Sequence, residues 1–179
     1  MKGYLVTVFY LELHSNKWMG SDIACDIDIV FHNISLDETV LARDLYRNVG
    51  REWYWADRYD WSLSQWNYHI QKPDVSLWVM QRDNEPLGYY ELELQQNDDV
   101  EVSYFGLLPG SIGKGLGKYM LVDSFRRSFN DLNASRTWLH TCTLDHPQAL
   151  SNYQSRGMRI YKKKSDIQYI PDEWNSPAR

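Results

Sequence analysis

From Val100 to Met120 the chain reads Val-Glu-Val-Ser-Tyr-Phe-Gly-Leu-Leu-Pro-Gly-Ser-Ile-Gly-Lys-Gly-Leu-Gly-Lys-Tyr-Met, an apolar run followed by a turn dense in glycine. β-Branched and aromatic residues between Val100 and Leu108, closed by Pro109 and Gly110, predict a strand. Beyond the turn, Leu116, Tyr119, Met120, Phe125 and Phe129 keep near-helical spacing, with Lys118, Asp123, Arg126 and Arg127 among them, and predict a helix. Gly113, Gly115 and Gly117 then fall on the first turn of that helix, where each costs about 1 kcal/mol relative to alanine. A cost repeated in this way implies a use. Without Cβ atoms in the way, main-chain N–H groups at the positive end of a helix can touch an anion.

Two known phosphate loops fail against these residues. Gly110 and Gly115 have the Walker spacing, but Leu116 and Gly117 follow where Lys and Ser or Thr are required. A dinucleotide fingerprint starting at Gly113 and Gly115 needs a third glycine where Lys118 stands. What is left, a hydrophobic strand, Leu107-Leu-Pro109 and Gly113-Lys-Gly115-Leu-Gly117, resembles motif A of the GNAT superfamily of acyl-CoA-dependent N-acyltransferases. The motif, Gln/Arg-x-x-Gly-x-Gly/Ala, falls on Ile112 to Gly117, with Ile112 where the family has glutamine or arginine. An isoleucine still supplies the main-chain amide that the family uses there for pyrophosphate.

Composition narrows the partners. At 179 residues the chain suffices for one well-buried domain. Nineteen Lys and Arg against 24 Asp and Glu give a formal charge of −5, and no basic block exceeds Lys162-Lys-Lys164, which disfavours nucleic acid. No run approaches the roughly 18 apolar residues of a membrane span, and Met1-Lys-Gly-Tyr4 lacks the pattern of a signal peptide. The expectation is a cytoplasmic protein without a membrane partner. Two cysteines, Cys25 and Cys142, fit reduced thiols rather than a disulfide framework. Eight Trp and 13 Tyr, many between Trp53 and Tyr68, suit a pocket wall as well as a core.

Along the chain, strands are predicted at Val6 to Leu13 and Ala24 to Phe31. Ser35 and Glu38 form a capping box for a helix ending at Gly50. A polar-aromatic segment from Arg51 to Trp61 precedes a helix from Ser62 to Gln71. Strands at Val75 to Gln81 and Leu87 to Leu94 lead into the motif strand, and Arg136 to Leu144 forms the next strand. Pro147 opens a short helix stopped by Gly157. Met158 to Lys162 and Ile167 to Ile170 are expected as final strands around a turn at Ser165-Asp166. This order matches the GNAT topology from about residue 24 to 170, with an extra strand in front. The domain reading is therefore an N-terminal extension over 1–23 and one N-acetyltransferase domain over 24–179. His146-Pro-Gln-Ala149-Leu-Ser-Asn-Tyr153 ahead of Gly157 resembles the family's Asn-x-x-Ala-x-x-x-Tyr landmark, with His146 in the asparagine place. The segments around Trp53, Tyr104 and His140 resemble a bacterial subgroup of the superfamily without an assigned acceptor.

The resemblance implies an α/β (α+β) fold with a mixed, mostly antiparallel sheet, splayed at the central strands and flanked by about four helices. It implies acetyl-CoA as acyl donor and the primary amine of a small molecule or peptide as acceptor, with a homodimer possible. Main-chain amides of Ile112, Gly113, Lys114, Gly115, Leu116, Gly117 and Lys118 would cradle the pyrophosphate. The strand edge at Phe105, Gly106, Leu107 and Leu108 would hold the pantetheine arm, with His146 nearby. For the base the resemblance favours Glu101, eleven residues before Ile112 and, by strand alternation, on one face with Ser103 and Phe105. Glu91 and Glu93 compete for the role. Tyr153 would protonate or hydrogen-bond the departing thiolate. Trp53, Tyr54, Trp55, Asp57 and Arg58 would form the acceptor site, their aromatic faces and Asp57 suited to a cationic amine. The bland account of that set is an aromatic-capped helix pair with Asp57 and Arg58 paired on the surface. His140, Cys142 and His146 have poor zinc spacing, so no metal is expected, and Cys142 has no oriented base to make it a nucleophile. A non-catalytic CoA-binding or interaction module of the same fold, or a nucleotide-phosphate enzyme, are the other classes left open.

Overall fold

The computed structural model describes residues 1–20, 28–172 and 174. Its strands are β1 (Lys2–His14), β2 (Val30–Asn33), β3 (Val75–Arg82), β4 (Glu85–Leu94), β5 (Asp99–Leu107), β6 (Arg136–Cys142) and β7 (Arg159–Ile170). Its α-helices are α1 (Thr39–Gly50), α2 (Leu63–Ile70), α3 (Gly117–Arg126) and α4 (Ala149–Ser155). One seven-stranded sheet runs in the order β2-β3-β4-β5-β6-β1-β7. Every neighbouring pair is antiparallel except β5 and β6, which are parallel.

Local chemistry sets most of these boundaries. The Ser35 N–H donates to Glu38 at 2.9 Å, closing the capping box that leads through one 3-10 turn into α1. Ser62 and Gln65 form a second box at the start of α2. Asp83 and Asn84, both at positive φ, turn the chain between β3 and β4, a conformation Asx residues tolerate. Of the predicted strand at Ala24 to Phe31, residues 24–27 lie outside the described residues, and β2 begins at Val30.

Two apolar layers cover the sheet. On one face α1 and α2 bring Leu45, Tyr46, Val49 and Trp66 onto Leu77, Val79 and Tyr89. On the other, α3 and α4 bring Met120, Leu121, Phe125 and Tyr153 onto Tyr90, Leu92, Val102 and Leu139. Burying such side chains is worth about 1.5 to 3 kcal/mol each, so the two layers fix where the sheet surfaces face.

The end of the chain departs from expectation. Instead of two short strands around a turn at Ser165-Asp166, β7 is one strand of 12 residues, and its partner is β1. Periodicity signals a strand but not its partner, and here the N-terminal strand supplies the pairing that a hairpin would have given. Buried Glu12 pins β1 in place, accepting from Arg136 of β6 at 3.1 Å and Arg159 of β7 at 3.0 Å.

The parallel pairing of β5 with β6 is short. It covers only Asp99 to Glu101 against Arg136 to Trp138, after which the two strands separate. The cause lies in β5. Its register with β4 slips between Glu91/Tyr104 and Leu92/Val102, leaving Ser103 as an extra residue, a β-bulge that bends the strand away. The bulge also resets the alternation: Glu101 pairs opposite Glu93 and so shares its face with Tyr104, while Phe105 joins Val102 on the opposite face. The expected common face for Glu101, Ser103 and Phe105 is therefore wrong.

Candidate acyl-transfer site

The parted strands open a cleft of about 1070 Å³ that passes through the sheet. From the α1/α2 face it is lined by Tyr104 and His140, and from the α3/α4 face by Phe105, Leu139 and Tyr153. At one end of it lies the glycine turn. Gly113 and Gly115 have φ of +79° and +70°, and a Cβ built at either would meet nothing within 4 Å. Helix α3 starts only at Gly117. The first two glycines thus stand in the turn before the helix rather than on its first turn, and left-handed backbone is what requires them there.

Among the described residues, no acceptor serves the main-chain N–H groups from Gly113 to Lys118, whereas the Ile112 N–H turns back to Pro109 O at 3.4 Å. The row of available donors therefore begins one residue later than the sequence implies. It sits at the positive end of α3, where an anion is favoured. Beyond Glu101, the β5 edge that faces β6 has no strand partner, while the opposite edge bonds to β4 through Leu107. Phe105, Gly106 and Leu107 line the cleft along that free edge, and the Leu108 N–H is engaged by Leu87 O at 2.9 Å. Gly106 has a second use: a Cβ there would come within 2.3 Å of Val49, so glycine lets α1 lie directly on β5. These observations fit a long, narrow acyl-CoA: a diphosphate at the free amides, an amide-bearing arm along a free strand edge.

Tyr153, 6% exposed, stands in the cleft with its ring 5.8 Å from Phe105. Burial, and next the charge of Asp145, raise its phenol well above the ordinary value, so it stays protonated and able to donate. His146 also lines the cleft, its Nδ1 accepting from the Gln148 N–H at 3.1 Å. Its ring meets Trp53 edge-on at 5.2 Å, so a residue assigned to the donor and one assigned to the acceptor site form a bridge.

The end of the cleft away from the glycine turn is built mostly from the segment after α1. Trp53, Tyr54, Trp55 and Asp57 all line the cleft. Tyr54 takes a left-handed backbone conformation, φ 59°, and its carbonyl accepts from Gln168 of β7 at 3.0 Å. Tyr104 donates its hydroxyl to Asp57 at 3.3 Å.

Arg58 does not belong to this wall. Its guanidinium grips the fully buried Glu91 through two hydrogen bonds of 2.8 and 3.0 Å, with His69 beside both. It lies against the Tyr104 ring at 4.5 Å and the Trp61 ring at 4.9 Å, so the protein's own cation holds aromatic surface that an acceptor amine was expected to use. Arg58 is correspondingly neither a substrate ligand nor half of a surface pair with Asp57. Burial pushes the Glu91 carboxyl up, but His69 and Arg58 outweigh it and hold it below the ordinary value. Fully buried and held by three such contacts, this carboxylate is out of reach of a substrate proton.

Glu101 is part-buried and stands where β5 and β6 are still paired, just short of the cleft-lining residues. It accepts from Gln95 at 2.8 Å and lies 3.6 Å from Nδ1 of His140, which does line the cleft. Glu93, opposite Glu101 across the strands, has its carboxyl raised by burial and by the Glu101 charge.

Sequence reasoning weighed His140 only as a metal ligand and passed over Asp145. Asp145 lines the cleft and accepts from the Thr141 hydroxyl at 2.5 Å and the Cys142 N–H at 2.8 Å. Burial nonetheless raises its carboxyl above the ordinary value. The only trace of either in the sequence is the polar run His140 to Pro147 at the end of a strand. Among the described residues, no group of three or more His, Cys, Asp or Glu is placed to hold a metal ion.

Residues 40–158 match the model of the Acetyltransferase (GNAT) family, well over half of the chain. The chain belongs to the GNAT acetyltransferase family. Solved GNAT structures share its fold at low sequence identity. A GCN5-related N-acetyltransferase from Kribbella flavida superposes with a TM-score of 0.65 at 15% identity, over 92% of this chain and 59% of that one. One from Sphaerobacter thermophilus gives 0.70 at 10% identity, over 91% and 50%. The spermidine N-acetyltransferase of Vibrio cholerae, described as dodecameric, gives 0.58 at 19% identity, over 72% and 78%. The chain thus spans between half and three-fifths of the length of the first two GNAT proteins. No curated protein matches the sequence. Among the described residues, no helix is long and apolar enough to cross a membrane.

Proposed function

We propose that this GNAT-family chain is an acyl-CoA-dependent N-acyltransferase, moving an acetyl group from acetyl-CoA to the primary amine of a small molecule or peptide by direct attack. The observation that carries this reading is the conjunction of free amides from Gly113 to Lys118 with a cleft that begins where β5 and β6 part. The first suits a diphosphate and the second a thiol-bearing arm, and acyl-CoA has both. The unpaired β5 edge at Phe105 to Leu107 would hold the arm and supply an N–H to the thioester oxygen as charge develops there. Tyr153, protonated and facing the cleft, would hydrogen-bond the departing thiolate.

The acceptor end carries Asp57 and Asp145 among Trp53, Tyr54 and Trp55, a lining that suits a protonated amine. Similarity in fold to a spermidine N-acetyltransferase is in keeping with a cationic acceptor. The test is thiol release from acetyl-CoA against a panel of polyamines, amino sugars, amino acids and short peptides. Release with at least one amine, together with a thermal shift on adding acetyl-CoA, is the expected result. Stabilisation by ATP or NAD and not by acetyl-CoA would overturn the reading.

A further inference from the structure

Behind the lining of the cleft lies a hydrogen-bonded chain that ends on Glu101, whose carboxylate faces a histidine at ion-pair distance. Trp138 Nε1 donates to Gln95 Oε1 at 3.1 Å, and Gln95 Nε2 donates to Glu101 Oε2 at 2.8 Å. The other carboxylate oxygen, Oε1, lies 3.6 Å from Nδ1 of His140. Gln95 follows β4 directly, and the other three residues stand on β5 and β6. Trp138 sits opposite Glu101 in the β5/β6 register, and His140, two residues on along β6, shares its face at the point where the strands separate. The polar contact of His140 is through Nδ1, its Nε2 makes no hydrogen bond or ion pair among the described residues, and His140 is itself part of the cleft wall. A base whose second nitrogen is oriented by a carboxylate, itself fixed by a third group, is the arrangement that activates proton transfer in enzymes generally.

We infer that, within the acyl transfer proposed above, His140 Nε2 is the atom that takes the proton from the acceptor ammonium, and that Glu101 is a positioning residue acting through it. A Glu101 carboxylate facing Nδ1 keeps the hydrogen on that nitrogen and the lone pair on Nε2. The neutral imidazole removes one proton from the R–NH3⁺ acceptor and becomes imidazolium, which Glu101 stabilises. The freed amine lone pair forms the N–C bond at the thioester carbonyl carbon. Collapse of the adduct breaks the C–S bond, and the second nitrogen proton passes to the thiolate, leaving amide and thiol. His140 then releases its proton to solvent, so one proton is lost per turnover.

The groups that face His140 agree with this. Glu101 comes from β5, Asp145 from the loop after β6 and Asp57 from the segment after α1, and all favour its charged form. From β1 the Tyr10 ring lies 5.8 Å away, with Lys162 of β7 4.9 Å from that ring on its own account. The Glu101 interaction is the largest cause, outweighs desolvation, and raises the imidazole above its ordinary value. Activity should therefore rise with pH through a histidine titration that lies above 6.5.

The test uses the full chain. Histidine-labelled NMR titration of wild type and Glu101→Gln should show the His140 titration falling toward an ordinary histidine in the variant; an unmoved titration overturns the pairing. With an amine found by thiol release, His140→Gln and His140→Asn should lower kcat/KM about 10² to 10⁴-fold at pH 8. Both should keep the acetyl-CoA thermal shift, which reports that they are folded. Glu101→Gln should retain more activity than either at high pH and move the rising limb of the pH profile to lower pH. A Glu101→Gln variant without activity beside histidine variants within threefold of wild type would make Glu101 the direct base and overturn the inference alone. A wild type that acylates no amine overturns the acyltransferase reading and this inference with it.

Discussion

The two ends of the cleft are built from different materials. At the donor end the contacts offered are main-chain: free amides from Gly113 to Lys118 and an unpaired strand edge at Phe105 to Leu107. At the acceptor end they are side chains from distant parts of the sequence, with Trp53 to Asp57, Tyr104, His140, Asp145 and Gln168 meeting in one place. A main-chain site tolerates most side chains and demands only backbone geometry. A side-chain site demands particular residues, and a rigid support behind them. That support is the buried cluster of Arg58, Glu91 and His69, which ties the segment after α1 to the middle of β4.

If the ends are separable in this way, substitutions should divide them. The largest effect is expected from Arg58→Met, which leaves the Glu91 carboxylate buried with only His69 beside it and should lower stability by roughly 3 to 5 kcal/mol in urea unfolding. Changing Glu91→Gln in the same chain should recover part of that loss. The wild-type cluster should also show in acid. Because the folded Glu91 carboxyl is held below its unfolded value, its contribution is present above that unfolded value and is lost as pH falls through the folded one. Arg58→Met should flatten that acid limb.

Next in size, Gly115→Val places a β-branched residue at φ +70°, a strain of about 1 to 2 kcal/mol, and puts a side chain where the diphosphate would lie. The acetyl-CoA KM should rise about tenfold or more while the KM for the amine stays put, measured by varying each substrate in turn. Asp145→Asn should do the reverse, raising the KM of a cationic amine by about tenfold, roughly 1.4 kcal/mol, with the acetyl-CoA KM unchanged. If the two KM values moved together in either variant, the division between ends would fail. Trp53→Ala should have the smallest effect, removing the edge contact with His146 and about 1 kcal/mol in a denaturant titration.

The same division explains what could be read in advance. The strand, turn and helix from Val100 to Met120 and the capping box ahead of α1 rest on short spacings, and local backbone chemistry registers there. The place of Arg58 is not legible locally, because its partner Glu91 lies 33 residues away on another element and nothing near Arg58 in sequence announces it. Simple alternation gives the wrong face for Phe105 because one bulge at Ser103 shifts every later residue of the strand by one step. His140 and Glu101 are 39 residues apart, and only the parallel register of β5 with β6 makes them neighbours.

The sequence by itself determined the glycine turn and the elements on either side of it, since dihedral freedom and side-chain period act over a few residues. Tertiary structure alone decided that β1 would lie between β6 and β7, that Arg58 would be spent inside the protein, and that a histidine would stand between Glu101 and the cleft. These depend on strand order and register, and both are settled by burial and pairing summed over the whole sheet.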